Sequence, residues 1–172
     1  ITFNPTIGIN NFSAGFTLPF GSVGDFVFKD CNNNGIQDAG ETGIANVEVT
    51  LSNLDNSTTV SGLTNAMGFY LYMNVQSGNY TLGFAVPGIG LDYAQQDQGN
   101  DDSLDSDVNS STGTTASFSI GGSESVNSID AGFIDVAAPF IINIPDLTVE
   151  CDEDIISDVK AVDNCDTDPD LT

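Results

Sequence analysis

The sequence predicts an all-β sandwich, on three observations. Apolar and polar residues alternate with period two in short stretches, as in Val47-Glu48-Val49-Thr50-Leu51-Ser52. Clusters of Gly, Asn, Asp and Ser separate these stretches at the spacing of sandwich strands. Hydrophobic residues make up 40% of the chain, enough for a core despite a formal net charge of −23. Strong acidity with few aromatics otherwise marks disorder. The regular alternation decides for folded β-structure.

Taken in order, the chain reads as one complete module between two partial ones. Ile9-Asn10-Asn11-Phe12-Ser13-Ala14-Gly15-Phe16 matches Val126-Asn127-Ser128-Ile129-Asp130-Ala131-Gly132-Phe133 position by position in hydrophobicity. Residues 1–20 are therefore expected to be the C-terminal strands of a preceding repeat, and residues 21–136 the complete module. Gly24-Asp25-Phe26-Val27-Phe28 opens it with an aromatic and β-branched strand. Residues 47–52 form the next, and the Thr-rich stretch 57–60 an edge strand. In Gly68-Phe69-Tyr70-Leu71-Tyr72-Met73, alternation puts Phe69, Leu71 and Met73 on one face and the two tyrosines on the other. Residues 78–86 run to Pro87, which lacks an N–H and stops the ladder. Residues 88–113 read as loop, and 115–120 and 127–134 complete the sheets. Phe and Tyr on inward faces are expected in the core rather than on a ligand platform. Residues 137–172 change character: Pro139 to Cys151 reads as two short strands around Pro145, the incomplete start of a following module.

Residues 30–41, Asp-Cys-Asn-Asn-Asn-Gly-Ile-Gln-Asp-Ala-Gly-Glu, carry a complete calcium-loop pattern. Asp30, Asn32 and Asn34 fill the first three alternate ligand positions, and Gly35 supplies the turn. Ile36 offers a backbone carbonyl, Asp38 ligates directly or through water, and Glu41 closes the shell with both oxygens. An Asn/Gly-rich turn that solvates itself through Asx hydrogen bonds would explain the asparagines. It gives no reason for Glu41. The flanks read as strands rather than helices, so a bound ion would pin a loop and stiffen a β-domain instead of opening a helix pair.

A second acidic run, residues 97–107, places Asp97, Asp101, Asp102, Asp105 and Asp107 within eleven residues without one Lys or Arg. A solvated loop is the ordinary meaning of a charge run. Five like charges in a compact loop are costly unless a cation is present, so one or two further calcium sites are expected here. Asp92 is a weaker candidate.

Composition excludes several classes. With only two basic residues, Lys29 and Lys160, the chain has nothing to pair with phosphates, so neither nucleic acid nor an anionic membrane surface is a partner. No apolar stretch approaches ~18 residues, so no membrane-spanning helix is predicted. With no His, and no Ser or Cys beside a suitable base, nucleophilic catalysis lacks its parts and no enzyme is expected. Of three cysteines, Cys151 and Cys165 would close a loop of about 15 residues, worth ~3 kcal/mol in the chain-entropy model. In an exported chain they are expected to form a disulfide. Cys31, at a loop position whose side chain points outward, is expected to be a free surface thiol.

Residues 24–30, 32–41 and 43–49 together resemble the opening of the B-type (SdrD B-like, Cna-B-related) domains of serine-aspartate-repeat surface adhesins. Gly78-Asn79-Tyr80, Asp105-Ser106-Asp107 and Ile129-Asp130-Ala131-Gly132 match later landmarks of that family. The resemblance covers roughly residues 21–134. It implies an immunoglobulin-like or transthyretin-like sandwich in a tandem-repeat rod, binding two to three Ca2+ ions. It also implies that Asp25 and Asp130 complete the second acidic centre. Asn65 departs from the family, which often has Asp before the mid-domain turn. The tail, with Ala161-Val162-Asp163-Asn164-Cys165, is similar to the start of a hyaline-repeat module.

Two functions follow as expectations. The first is a calcium-rigidified structural spacer repeat of an exported bacterial adhesin filament, secreted to the cell surface and serving attachment or gliding, with neighbouring repeats of the same chain as its partners. The alternative is a ligand-binding module whose loops recognise a surface polysaccharide or host protein. The chain has no Trp and few aromatics outside its strands, which favours the spacer.

Overall fold

The structure, a computed structural model, describes residues 20–142, 160–163 and 165 of the 172-residue chain. Its strands are β1 (Phe20–Val23), β2 (Val27–Asp30), β3 (Glu48–Asn53), β4 (Thr59–Leu63), β5 (Tyr72–Gln76), β6 (Gly78–Phe84), β7 (Leu91–Tyr93), β8 (Phe118–Ile120), β9 (Ser125–Val126), β10 (Ala131–Asp135), β11 (Phe140–Ile142) and β12 (Lys160–Val162). The fold is all-β. One layer is the antiparallel sheet β4-β3-β6-β8, and the facing layer consists of β5-β1-β9 and β2-β10-β7. β11 and β12 pair with each other beyond the module.

Period-two alternation builds the core directly. Val49 and Leu51 of β3 stand opposite Phe84 and Leu82 of β6, and all four are buried. The facing layer contributes Val23, Val27, Val75, Ala131 and Phe133 to the same apolar cluster. Where Asn53 meets Tyr80 at the end of this row, the Asn53 amide donates to the tyrosine hydroxyl (2.9 Å). That hydroxyl donates in turn to the Gln76 carbonyl (2.6 Å), so the polar end of the core is satisfied.

Between residues 68 and 73 the tyrosine face turns inward. Tyr70 is buried, whereas Phe69, Leu71 and Met73 are 47%, 63% and 65% exposed. The hydroxyls explain the choice. Tyr70 donates to the Ile129 carbonyl (2.7 Å) and Tyr72 to that of Val49 (2.6 Å), so the buried ring of Tyr70 and the half-buried ring of Tyr72 both have a paired polar tip. Gly68 takes the positive φ of 90° that the preceding turn requires, and Asn65 caps that turn by accepting from the amides of Met67 and Phe69. The Asn65 amide oxygen thus does what a carboxylate would do here. Residues 88–113 contain β7 and several single bridges rather than loop alone.

The strands at the two ends of the module run side by side. β2 pairs in parallel with β10, with Val27 beside Ala131 and Asp30 beside Ile134. The chain therefore enters at one end of this pair and leaves at the other. It also brings Cys31, next after β2, to the segment that follows β10. Cys31 is bonded to Cys165, with Cα atoms 5.1 Å apart. This corrects two expectations: Cys31 is not a free thiol, and the partner of Cys165 is not Cys151, which lies outside the described residues. Short separation along the chain favoured Cys151, but the parallel closure of β2 on β10 makes a distant residue the spatial neighbour. The Ile9–Phe16 repeat also lies outside the described residues.

Candidate metal centre

The 30–41 loop begins where β2 ends, and Asp30 is its anchor. This side chain is only 1% exposed. It accepts from the amides of Asn34 (3.2 Å) and Gly35 (2.7 Å), which bends the chain back over the carboxylate. Gly35 has φ 75°, and a Cβ there would collide with the Gln95 carbonyl. Asn32 and Asn34 each donate a side-chain amide to Asp38 Oδ2 (2.7 Å). Glu41 reaches back across the loop, accepting from Cys31 N (2.8 Å) through Oε1 and from Asp38 N (3.1 Å) through Oε2. Ile36 N donates to Asn34 Oδ1, and Ile36 pairs with Asp105 in an antiparallel bridge. All six predicted positions thus meet in one loop. The Oδ1 atoms of Asn32 and Asn34 accept from Asn34 N (3.2 Å) and Ile36 N (2.8 Å), and with the carboxylates of Asp30, Asp38 and Glu41 the loop carries the hard oxygens a divalent cation takes.

Burial opposes ionisation of the Glu41 carboxyl. Its pKa is raised by desolvation against the hydrogen bonds from Asp38 and Cys31, with the charges of Asp30 and Asp38 adding to the rise.

The Ile36–Asp105 bridge joins this loop to the second acidic run, helped by Gln37 N donating to Leu104 O (2.6 Å) and Ser106 N to Gly35 O (3.0 Å). Carboxylate oxygens of Asp102, Asp105 and Asp107 lie within 4.8 Å of one another. Asp107 then links to the last strand: its Oδ2 accepts from Asp130 N (2.7 Å), and its own amide donates to Asp130 O (3.0 Å). Asp130 is 0% exposed, its Oδ1 accepts from Phe26 N (3.1 Å), and its side chain also meets Asp25. Asp25, Asp107 and Asp130 are therefore brought together.

The electrostatics of this second centre are unfavourable to bare carboxylates. Burial lifts Asp107 to about 7, with the charges of Asp102, Asp105 and Asp97 contributing and the Asp130 amide opposing. Burial likewise raises Asp25 to about 6 against its hydrogen bond to Asp130, and raises Asp130 to about 8 with the Asp25 charge adding to the rise. Asp105 is raised by burial and then by Asp102, Asp97 and Asp101. Asp105 Oδ1 and Asp130 Oδ2 are buried with no hydrogen-bond partner. A buried carboxylate in that position is stabilised by a proton or a cation. With no His in the chain the donors are all oxygen, which suits calcium rather than a softer metal. The residues fit the ion.

Asp101 is not drawn in. It is exposed and caps its own turn, accepting from Ser103 N and Oγ, which lowers its pKa. Asp92 sits on β7 opposite Ile134 and caps Tyr93 N, away from the cluster. Asp97 is the residue whose role the sequence left unassigned. Its amide is held by Ser106 O (2.9 Å), and its charge bears on both Asp105 and Asp107. Its position at the head of the acidic run was the available signal.

A β-sandwich whose acidic loops converge between its first and last strands defines a class of structural repeat. Residues 21–133 match the SdrD B-like domain, and the chain belongs to this family. It is 37% identical over 120 residues to serine-aspartate repeat-containing protein F of Staphylococcus epidermidis, covering 69% of this chain and 7% of that protein. It is 36% identical over 98 residues to serine-aspartate repeat-containing protein D of Staphylococcus aureus, covering 56% of this chain and 8% of that one. Colossin-A of Dictyostelium discoideum matches at 39% over 88 residues, covering 51% of this chain and 1% of its own length. The chain thus spans less than a tenth of these relatives. Among solved structures, the minor pilin GBS52 of Streptococcus agalactiae matches with a TM-score of 0.47 at 14% identity, covering 77% of this chain and 50% of that one. The domain is an adhesin-type structural repeat and not an enzyme.

Proposed function

We propose that the module is a calcium-rigidified spacer repeat in an exported bacterial adhesin filament. In this reading residues 1–20 end a preceding repeat, residues 21–136 form the calcium-binding sandwich, and residues 137–172 begin the next module. The observation that carries it is that two of the three partnerless buried side-chain oxygens among the described residues, those of Asp105 and Asp130 but not that of Asp135, fall in this centre among carboxyls held above their ordinary range. Asp30, Asn32, Asn34, Ile36, Asp38 and Glu41 would hold one ion. Asp102, Asp105, Asp107, Asp130 and Asp25 would hold one or two more. The ions supply charge neutralisation, and the chain supplies the loops that they tie to the strands at both ends of the module. Family membership supports a surface location and neighbouring repeats as the partners.

Calcium titration calorimetry of the full chain tests this. Two to three ions are expected. Glu41→Gln should remove one by deleting the bidentate closing ligand, and Asp105→Asn with Asp107→Asn should remove a different one. Equal stoichiometry in the double variant would reduce the second centre to a solvated loop, and no binding by the parent would end the proposal.

A further inference from the structure

We propose that the Cys31–Cys165 disulfide is a mechanical shunt that carries tension past the body of the module. This rests on the filament reading above. The bond joins residues separated by 134 positions, so β3 to β12 all lie inside one covalent loop. Tension applied at the two chain ends runs through β1 and β2 to Cys31, crosses the sulfurs, and leaves from Cys165. None of the enclosed chain can extend while the bond holds.

Among the described residues before the bond, the tract from β1 to Cys31 carries the load, and its attachments suit that role. β2 is parallel to β10 and β1 is parallel to β9, so pulling on the N-terminus shears whole ladders rather than opening them one bond at a time. This tract also contributes one carboxylate to each acidic centre, Asp30 to the loop and Asp25 to the Asp130 cluster, while every other candidate ligand lies within the closed loop. A cation in either centre would fasten the loaded tract to the shielded body. Cys31 itself sits between Asp30 and Asn32, and its amide is held by Glu41.

The bond borders a cleft of about 410 Å³ lined by Asp30, Asn33, Ile134, Asp135 and Asp163, so a small reductant can reach it.

Stretching the full chain by its two ends, in calcium and in EDTA, each with and without dithiothreitol, tests the shunt. Without reductant, no long extension is expected. With it, an additional release of about 450 Å should appear, from 134 residues at ~3.4 Å each. That difference should be the same in calcium and in EDTA, whereas the force detaching β1 and β2 should be higher in calcium. A failure of the calcium reading would thus remove the second effect and leave the first. Cys31→Ser should reproduce the reduced traces without reductant, and Cys151→Ser should not. Long releases from the unreduced chain, or unlocking by Cys151→Ser in place of Cys31→Ser, would overturn the proposal.

Discussion

Asp130 shows how much of the site depends on single atoms. It is fully buried, shares its surroundings with Asp25 and Asp107, and leaves one oxygen without a partner. Its folded pKa lies above the unfolded value of about 3.9, as do those of its two neighbours. Between roughly pH 4 and pH 8 the folded state therefore binds more protons than the unfolded state, and stability falls as pH rises through that window. In EDTA the melting temperature should be higher at pH 5 than at pH 7.5, and calcium should remove or reverse the trend. An equal or higher value at pH 7.5 in EDTA would mean that these carboxyls are not confined as described. The closed 30–41 loop was legible because the side chains that bond across it lie within twelve residues of sequence. The turn that Asp101 caps through Ser103 was not legible, because a run of acids does not show which member bonds to its own turn.

At the scale of single strands, alternation predicted more than it decided. It separated Phe69, Leu71 and Met73 from Tyr70 and Tyr72, but both faces were apolar enough to be core. The carbonyls of Ile129 and Val49, waiting for a hydroxyl, settle the matter, and those lie on strands or loops far along the chain. Leu71→Ser should consequently change stability by no more than about 0.5 kcal/mol, as surface substitutions do. Leu82→Ala, in the centre of β6, should cost about 2–5 kcal/mol. Denaturant unfolding of the two variants compares them directly, and a large loss at Leu71 would mean that the face is covered. The edge position of β4 was readable from its Thr content, whereas the pairing of β3 with β6 was not, because alternation marks faces and not neighbours. The short β7 was not, because its three residues sit in a stretch dominated by Gly, Gln and Asp.

The molecule as a whole depends on a closure that no local pattern encodes. β2 lies parallel to β10, which places the end of one beside the end of the other, and both Cys31–Cys165 and the Asp25–Asp130 contact follow from it. Loop-length reasoning treats distance along the chain as distance in space, and here it selected the wrong cysteine. The same closure sets two acidic runs against the first and last strands, so that charge neutralisation and fold stability become one equilibrium. Melting of the full chain at neutral pH, in millimolar calcium and in EDTA, measures that equilibrium. A site filled to about a thousand times its dissociation constant adds ~4 kcal/mol by linkage, so the transition should rise by more than about ten degrees in calcium. Superimposable transitions in the two conditions would show that the acidic loops hold no ion and that packing alone makes the module rigid.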